Sequence, residues 1–163
     1  MSSPDPHATM LAALRAEYVT AYGSHDVAED DLDGCTVLTV RCHGEEVGMV
    51  ALASIDEETV LARRLYVCPP HRGHGHGWEL ARLAATEARR QGYRHLVGEL
   101  STEVPASLAI AARLRARPSA PFGTYIHDPR SRYVDLDLDT VEDFADQARA
   151  IRRGNAAAGT RAS

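Results

Sequence analysis

One run limits the fold more than any other part of the chain: "LARRLYVCPPHRGHGHGWELARLAATEARRQGYRHLVGEL", residues 61–100. It changes hydrophobic period twice. "TVLARRLYV", residues 59–67, is rich in β-branched and apolar residues and follows the turn "IDEE", so it reads as a strand. Residues 78–91 place Leu80, Leu83, Ala84 and Ala88 on one face at helical spacing. Gly92 stands where a left-handed residue closes a helix. "YRHLVGEL" returns to strand chemistry. Strand, glycine-rich loop, helix and strand make an α/β unit.

The flanking sequence extends that unit on both sides. Met10, Leu11, Leu14, Tyr18 and Val19 predict a helix from Ala8, closed by Gly23. "CTVLTVR", a turn around Gly44, "VGMVALAS" and "TVLARRLYV" form a meander, so the sheet should be mixed. After "STEVP", "ASLAIAARLRA" predicts another helix; Pro118 and Pro121 should then break the chain. "RYVDLDL" alternates in period two, as a half-buried strand does. "DTVEDFADQARAIRRG" predicts a last helix, capped by Asp139 or Thr140. Its apolar stripe is Val141, Phe144, Ala145, Ala148 and Ile151. That stripe would dock on the chain's own sheet or, less simply, on a second copy, which leaves a homodimer open. The expected organisation is a loose tail over 1–7, one domain over 8–138, the C-terminal helix over 139–154 and a disordered end over 155–163. A length of 163 residues fits one domain.

Charge and cysteine content exclude several classes. A net charge of −5 argues against a nucleic-acid binder. "MSSPDPHATM" lacks the charged start and apolar run of a signal peptide. No apolar stretch reaches the ~18 residues of a membrane helix, so no membrane partner is expected. Cys35, Cys42 and Cys68 are odd in number and not closely paired, which speaks against a disulfide framework or structural zinc. The expectation is a reduced, cytoplasmic protein.

The loop "HRGHGHGWEL" invites two chemistries. His71, His74 and His76 raise the possibility of a metal, but no cysteine or carboxylate close in sequence completes a shell, and none is expected. The glycines point to phosphate. Gly73, Gly75 and Gly77 let the backbone turn and approach a ligand closely. Successive N–H groups then face one cavity, and the helix N-terminus adds about half a positive charge. Such a turn holds a pyrophosphate without lysine.

Arg72-Gly73-His74-Gly75-His76-Gly77 fits the pattern Gln/Arg-x-x-Gly-x-Gly/Ala of the GNAT N-acetyltransferase superfamily. The surrounding "RRLYVCPPHRGHGHGWELARLAATEARRQGY" resembles that family's central strand, acetyl-CoA loop and long helix. "PSAPFGTYIHDPRSRYVDLDL" resembles the C-terminal part of a bacterial subgroup that reads "PPFGPY…DP" there. The resemblance implies a GNAT fold of class α/β, with a twisted mixed sheet splayed in its middle between "LARRLYV" and "HLVGEL". It implies acetyl-CoA, or another acyl-CoA, as co-substrate. The pyrophosphate would lie on the backbone of residues 72–78: Arg72, Gly73, His74, Gly75, His76, Gly77 and Trp78. The pantetheine arm would run along Leu65, Tyr66 and Val67. A backbone N–H near Leu65 would polarise the thioester carbonyl.

The sequence departs from the family at the usual catalytic helpers. The position of the tyrosine that protonates the leaving thiolate falls on Ala111, and the frequent strand glutamate falls on Leu61. The Gly-Phe pair that follows the tyrosine falls on Arg115-Ala116. Glu99 and Tyr125 are the candidate replacements. Tyr66, Cys68, His127, Asp128, His43 and Ser101 are better explained as packing, turn or solvated residues. Arg63 and Arg64, adjacent on a strand, should face opposite sides, one of them toward a substrate carboxylate. The family's first strand also has no counterpart before Ala8. The resemblance implies an N-acyltransferase acting on a small-molecule or peptide amine. The competing readings are a CoA-binding module without catalysis and an acyl-CoA enzyme of another reaction type.

Overall fold

The computed structural model describes residues 5–22, 32–122 and 128–141. Helix α1 spans Pro6–Tyr22 and starts two residues before the apolar spacing predicts. Asp5 is the reason. Its carboxylate accepts the His7 N–H at 3.0 Å and its carbonyl accepts the Thr9 N–H at 3.1 Å. Pro6, with no N–H to satisfy, takes the first helical position.

Strands β1 (Thr36–Cys42), β2 (Glu45–Ser54) and β3 (Thr59–Val67) form the expected meander. His43 and Gly44, at φ 51° and 84°, make the tight turn between the first two. A short 3-10 turn, Pro69–His71, leads through the glycine loop into α2 (His76–Arg90). β4 (His95–Ser101), α3 (Pro105–Arg113), β5 (Arg117–Pro118) and β6 (Ser131–Asp137) follow. The sheet order is β1-β2-β3-β4-β6-β5, with β3 and β4 parallel and the other neighbours antiparallel. Among the described residues no strand precedes α1, and β1 is an edge. Pro118 does not simply break the chain: it lies in a two-residue strand at the other edge, where a missing N–H costs no ladder bond.

Each face of the sheet carries its own core. Leu80, Ala84, Ala85 and Ala88 of α2 pack on Val50, Leu52, Val60, Leu96 and Leu136. Met10, Leu11 and Leu14 of α1 pack on Met49 and Tyr66. The small alanines let α2 lie close to the strands, which sets its N-terminus at the end of β3. Beyond β6, Asp137 accepts the Asp139 N–H at 3.0 Å and starts a 3-10 turn, Leu138–Thr140. Leu138 and Val141 are buried in the α2 core. The rest of the expected C-terminal helix and its stripe lie outside the described residues.

Both inner helices close with a left-handed residue. After α2, Gly92 has φ 95°, and Tyr93 donates to the Ala88 carbonyl at 3.1 Å. After α3, Arg115 has φ 62°, and Ala116 donates to the Ala111 carbonyl at 3.0 Å. This is the position where the resemblance places a glycine. A side chain there works against the backbone. Arg115→Gly should therefore stabilise the fold by roughly 0.5–1 kcal/mol. Thermal unfolding would show the midpoint rising by a few degrees.

Candidate active site

The sheet opens because β3 carries a bulge. Ala51 of β2 pairs with Arg63, but Met49 pairs with Tyr66, so Arg64 and Leu65 together face Val50. Arg64 takes φ 55° to make room for the extra residue. A bulge bends its strand and strengthens the local twist. The parallel pairing of β3 with β4 stops at Ala62 and Gly98. Past that point Arg63–Val67 of β3 and Glu99–Ser101 of β4 are no longer paired with each other. The bulge also interrupts the simple alternation expected for Arg63 and Arg64.

At the end of β3 the glycine loop forms an open concavity. Gly73 and Gly75 have φ 78° and 88°, and a Cβ on either would meet nothing within 4 Å. Conformation, not space, requires glycine at these two positions. Gly77 differs: its Cβ would stand 3.3 Å from Ile110 Cδ1 and 3.9 Å from Leu65 Cδ2. There a Cβ would crowd the Ile110 side chain of α3, which would have to give by a few tenths of an ångström. Gly75 is the N-cap of α2 and has no side chain to cap it. Glu79 donates to the Gly75 carbonyl at 3.0 Å, which leaves the N–H groups of 76–78 at the mouth of the helix. The Arg72 N–H is already used, donating to Pro69 at 3.2 Å. On the far side, the Arg113 guanidinium lies 4.0 Å from the centre of the Trp78 ring and ties α3 to the start of α2.

The Arg72 side chain turns away from the cavity. Its Nε donates to the Val67 carbonyl at 2.8 Å, and Nη2 donates to Glu17 of α1 at 2.8 and 3.0 Å. It also lies 5.3 Å from the centre of the Tyr66 ring. The Tyr66 hydroxyl donates to Glu17 at 3.3 Å; burial, then the Glu17 charge, push its pKa up. Arg72 thus locks the loop to α1 and to the last carbonyl of β3.

Glu99 is the first β4 residue beyond the split. Its Oε1 accepts the Ser131 hydroxyl at 2.6 Å. Directly opposite Glu99 on β6 is Tyr133, a residue the alternation of "RYVDLDL" does not single out. Its hydroxyl is buried beside Glu99 and Ser131. Burial, then the Glu99 charge, push its pKa up, so it stays protonated at neutral pH. Phe122 packs edge-on against its ring at 5.0 Å. Tyr125 and His127 lie outside the described residues. Ala111 is buried in α3, and Leu61 lies on β3 opposite Ala53 and Val97. Ser101 accepts the Glu103 N–H at 3.2 Å, as a turn residue does.

Asp128 sets the start of β6, and so the position of Ser131. Its carboxylate accepts the Arg130 guanidinium at 2.7 and 3.0 Å and the Arg130 N–H at 2.9 Å. These bonds hold its pKa down at about 2. A folded pKa below the unfolded one gives stability that is complete above the unfolded pKa and lost as pH falls through the folded one. Asp128→Asn should lower the thermal midpoint at neutral pH. Its gap to the wild type should close as pH falls from about 4 to about 2.

The glycine-loop histidines do not act as one group. His71 and His76 converge with Cys42, their ligand atoms within 4.8 Å of one another, while His74 is outside that group. Cys42 is remote in sequence, and the β1–β2 hairpin brings it to the loop.

Residues 7–114 match the acetyltransferase (GNAT) family. The chain belongs to that family. Among solved structures, a Klebsiella pneumoniae protein assigned as an acyl-CoA N-acyltransferase superposes with a TM-score of 0.67 at 24% identity. The match covers 84% of this chain and 94% of that one. A GNAT acetyltransferase from Elizabethkingia anophelis with acetyl-CoA bound gives 0.63 at 15% identity, covering 83% and 92%. A Bacillus subtilis acetyltransferase in complex with CoA gives 0.64 at 17%, covering 84% and 94%. At these identities the likeness is one of fold. No curated protein matches the chain in sequence. Among the described residues no helix is long and apolar enough to cross a membrane.

Proposed function

We propose that this GNAT protein transfers an acyl group, acetyl in the first instance, from acyl-CoA to an amine on a small molecule or peptide. One observation carries the reading: the pairing of β3 and β4 ends at Ala62 and Gly98, and the gap opens toward the left-handed glycine loop at the N-terminus of α2. The residues present suit the co-substrate. Gly73 and Gly75 leave the cradle open, and the N–H groups of residues 73–78 supply the donors a pyrophosphate needs. Leu65, Tyr66 and Val67 line the gap for the pantetheine arm.

Acyl-CoA supplies an activated thioester. A backbone N–H near Leu65 serves the carbonyl oxygen as charge builds on it. The substrate nitrogen forms the new bond to carbon, and the carbon–sulfur bond breaks. The proton from nitrogen goes to the Glu99 carboxylate, directly or through water, and Ser131 holds that carboxylate in place. Tyr133, and Tyr125 on the sequence reading alone, are the candidates to return a proton to the departing sulfur. The bacterial subgroup with the PFG segment remains part of the proposal.

A second reading has its own support, a module that binds CoA without catalysis, because Ala111 stands where a phenol is usual. One experiment separates the two. The protein is incubated with acetyl-CoA and a panel of amines while free thiol is followed. Amine-dependent thiol release supports the transferase. Binding without turnover favours the module, and thiol release without an amine indicates hydrolysis.

A further inference from the structure

We propose that Cys42, His71 and His76 form a three-ligand site for a borderline-soft divalent cation of the zinc class. The three residues come from three elements: the last residue of β1, the end of the 3-10 turn and the first residue of α2. Their ligand atoms already lie within 4.8 Å of one another, and all three residues are partly sheltered from solvent. Around a tetrahedral zinc, sulfur and nitrogen ligands stand about 3.3–3.6 Å apart. Small side-chain rotations close the difference. A thiol with two imidazoles selects zinc-class ions over magnesium or calcium, which take oxygen ligands.

A second observation points to the same place. His76 Nδ1 is shut off from solvent and makes no hydrogen bond among the described residues, with Glu79 Oε2 at 3.6 Å. A buried ring nitrogen without a partner is costly. Two arrangements satisfy it. Either the metal sits on Nδ1, or it sits on Nε2 while Nδ1–H donates to Glu79 as an orienting carboxylate. The His71 and His76 rings, 6.4 Å apart and inclined at 64°, are not stacked on each other. Water fills the fourth position, and binding releases the Cys42 thiol proton to solvent.

The site lies on the flank of the glycine loop. A metal there ties β1, the 3-10 turn and the α2 N-terminus together around residues 72–75. Its charge also adds to the anion cradle, a consequence that rests on the acyl-CoA reading; the site itself does not.

Cobalt(II) is the probe, added to the reduced full-length chain without coenzyme. One equivalent should bind with tetrahedral visible bands and a near-ultraviolet thiolate-to-cobalt band. The thiolate band should vanish in Cys42→Ser and persist in Cys35→Ser and Cys68→Ser. His71→Ala should weaken binding by at least ~10-fold. Circular dichroism of each metal-free variant establishes that it is folded. A wild-type protein with no thiolate band, or a band that survives Cys42→Ser, overturns the assignment. The tubes hold no CoA, so the result is independent of whether the loop binds it.

Discussion

Gly75→Asp and Gly77→Asp each abolish CoA binding in calorimetry, a loss of at least ~100-fold, or about 2.7 kcal/mol. The two changes act by different routes. At Gly75 the backbone sits at φ 88°, where an L side chain is strained although space is open. The new carboxylate also enters a cavity of N–H donors and competes for them with a phosphate of the same sign. At Gly77 the backbone is helical, but a Cβ already meets Ile110 Cδ1 at 3.3 Å. The new side chain crowds Ile110 and brings its charge to the mouth of α2. Gly75→Ala separates the contributions, because it adds strain without charge and should lose less affinity than Gly75→Asp. Unchanged affinity in both aspartate variants would sink the placement of the pyrophosphate, provided circular dichroism shows each variant folded.

The parts of this molecule legible in its sequence were those set by short-range pattern. Strand β3 was bounded correctly because its β-branched run lies between a turn and a proline pair. The cap at Gly92 followed from a glycine after a helical stripe. Counting back from the PFG segment of the resemblance placed Arg115 where a glycine is expected, and φ 62° at that residue agrees. The start of α1 was not legible: the polarity of residues 1–7 reads as a loose tail, yet Asp5 before Pro6 caps the helix two residues ahead of Ala8. What else could not be read depends on contacts distant along the chain. Cys42 reaches His71 and His76 only through the β1–β2 hairpin. Tyr133 becomes interesting only through its register with Glu99, since alternation alone marks it as the face away from Leu136. The bulge at Arg64 is invisible for a related reason. Nothing in "ARRLY" distinguishes an extra residue from a regular strand, yet that residue helps open the sheet.

Glu99→Gln lowers kcat for acyl transfer by about 10²-fold or more while leaving affinity for acetyl-CoA unchanged. The substitution keeps the shape and the acceptor for the Ser131 hydroxyl, 2.6 Å away, and removes the base. A merely structural Glu99 would show up as altered stability or CoA affinity instead. Tyr133→Phe is the natural companion. The hydroxyl lies beside Glu99 and Ser131, so a fall in kcat with folding and acetyl-CoA affinity unchanged would report on chemistry. The two changes should not be additive if both groups serve one proton path, since Glu99 and Tyr133 face each other across the β4–β6 ladder. Full activity in Glu99→Gln would remove the carboxylate from the mechanism and leave water or the substrate to manage the proton.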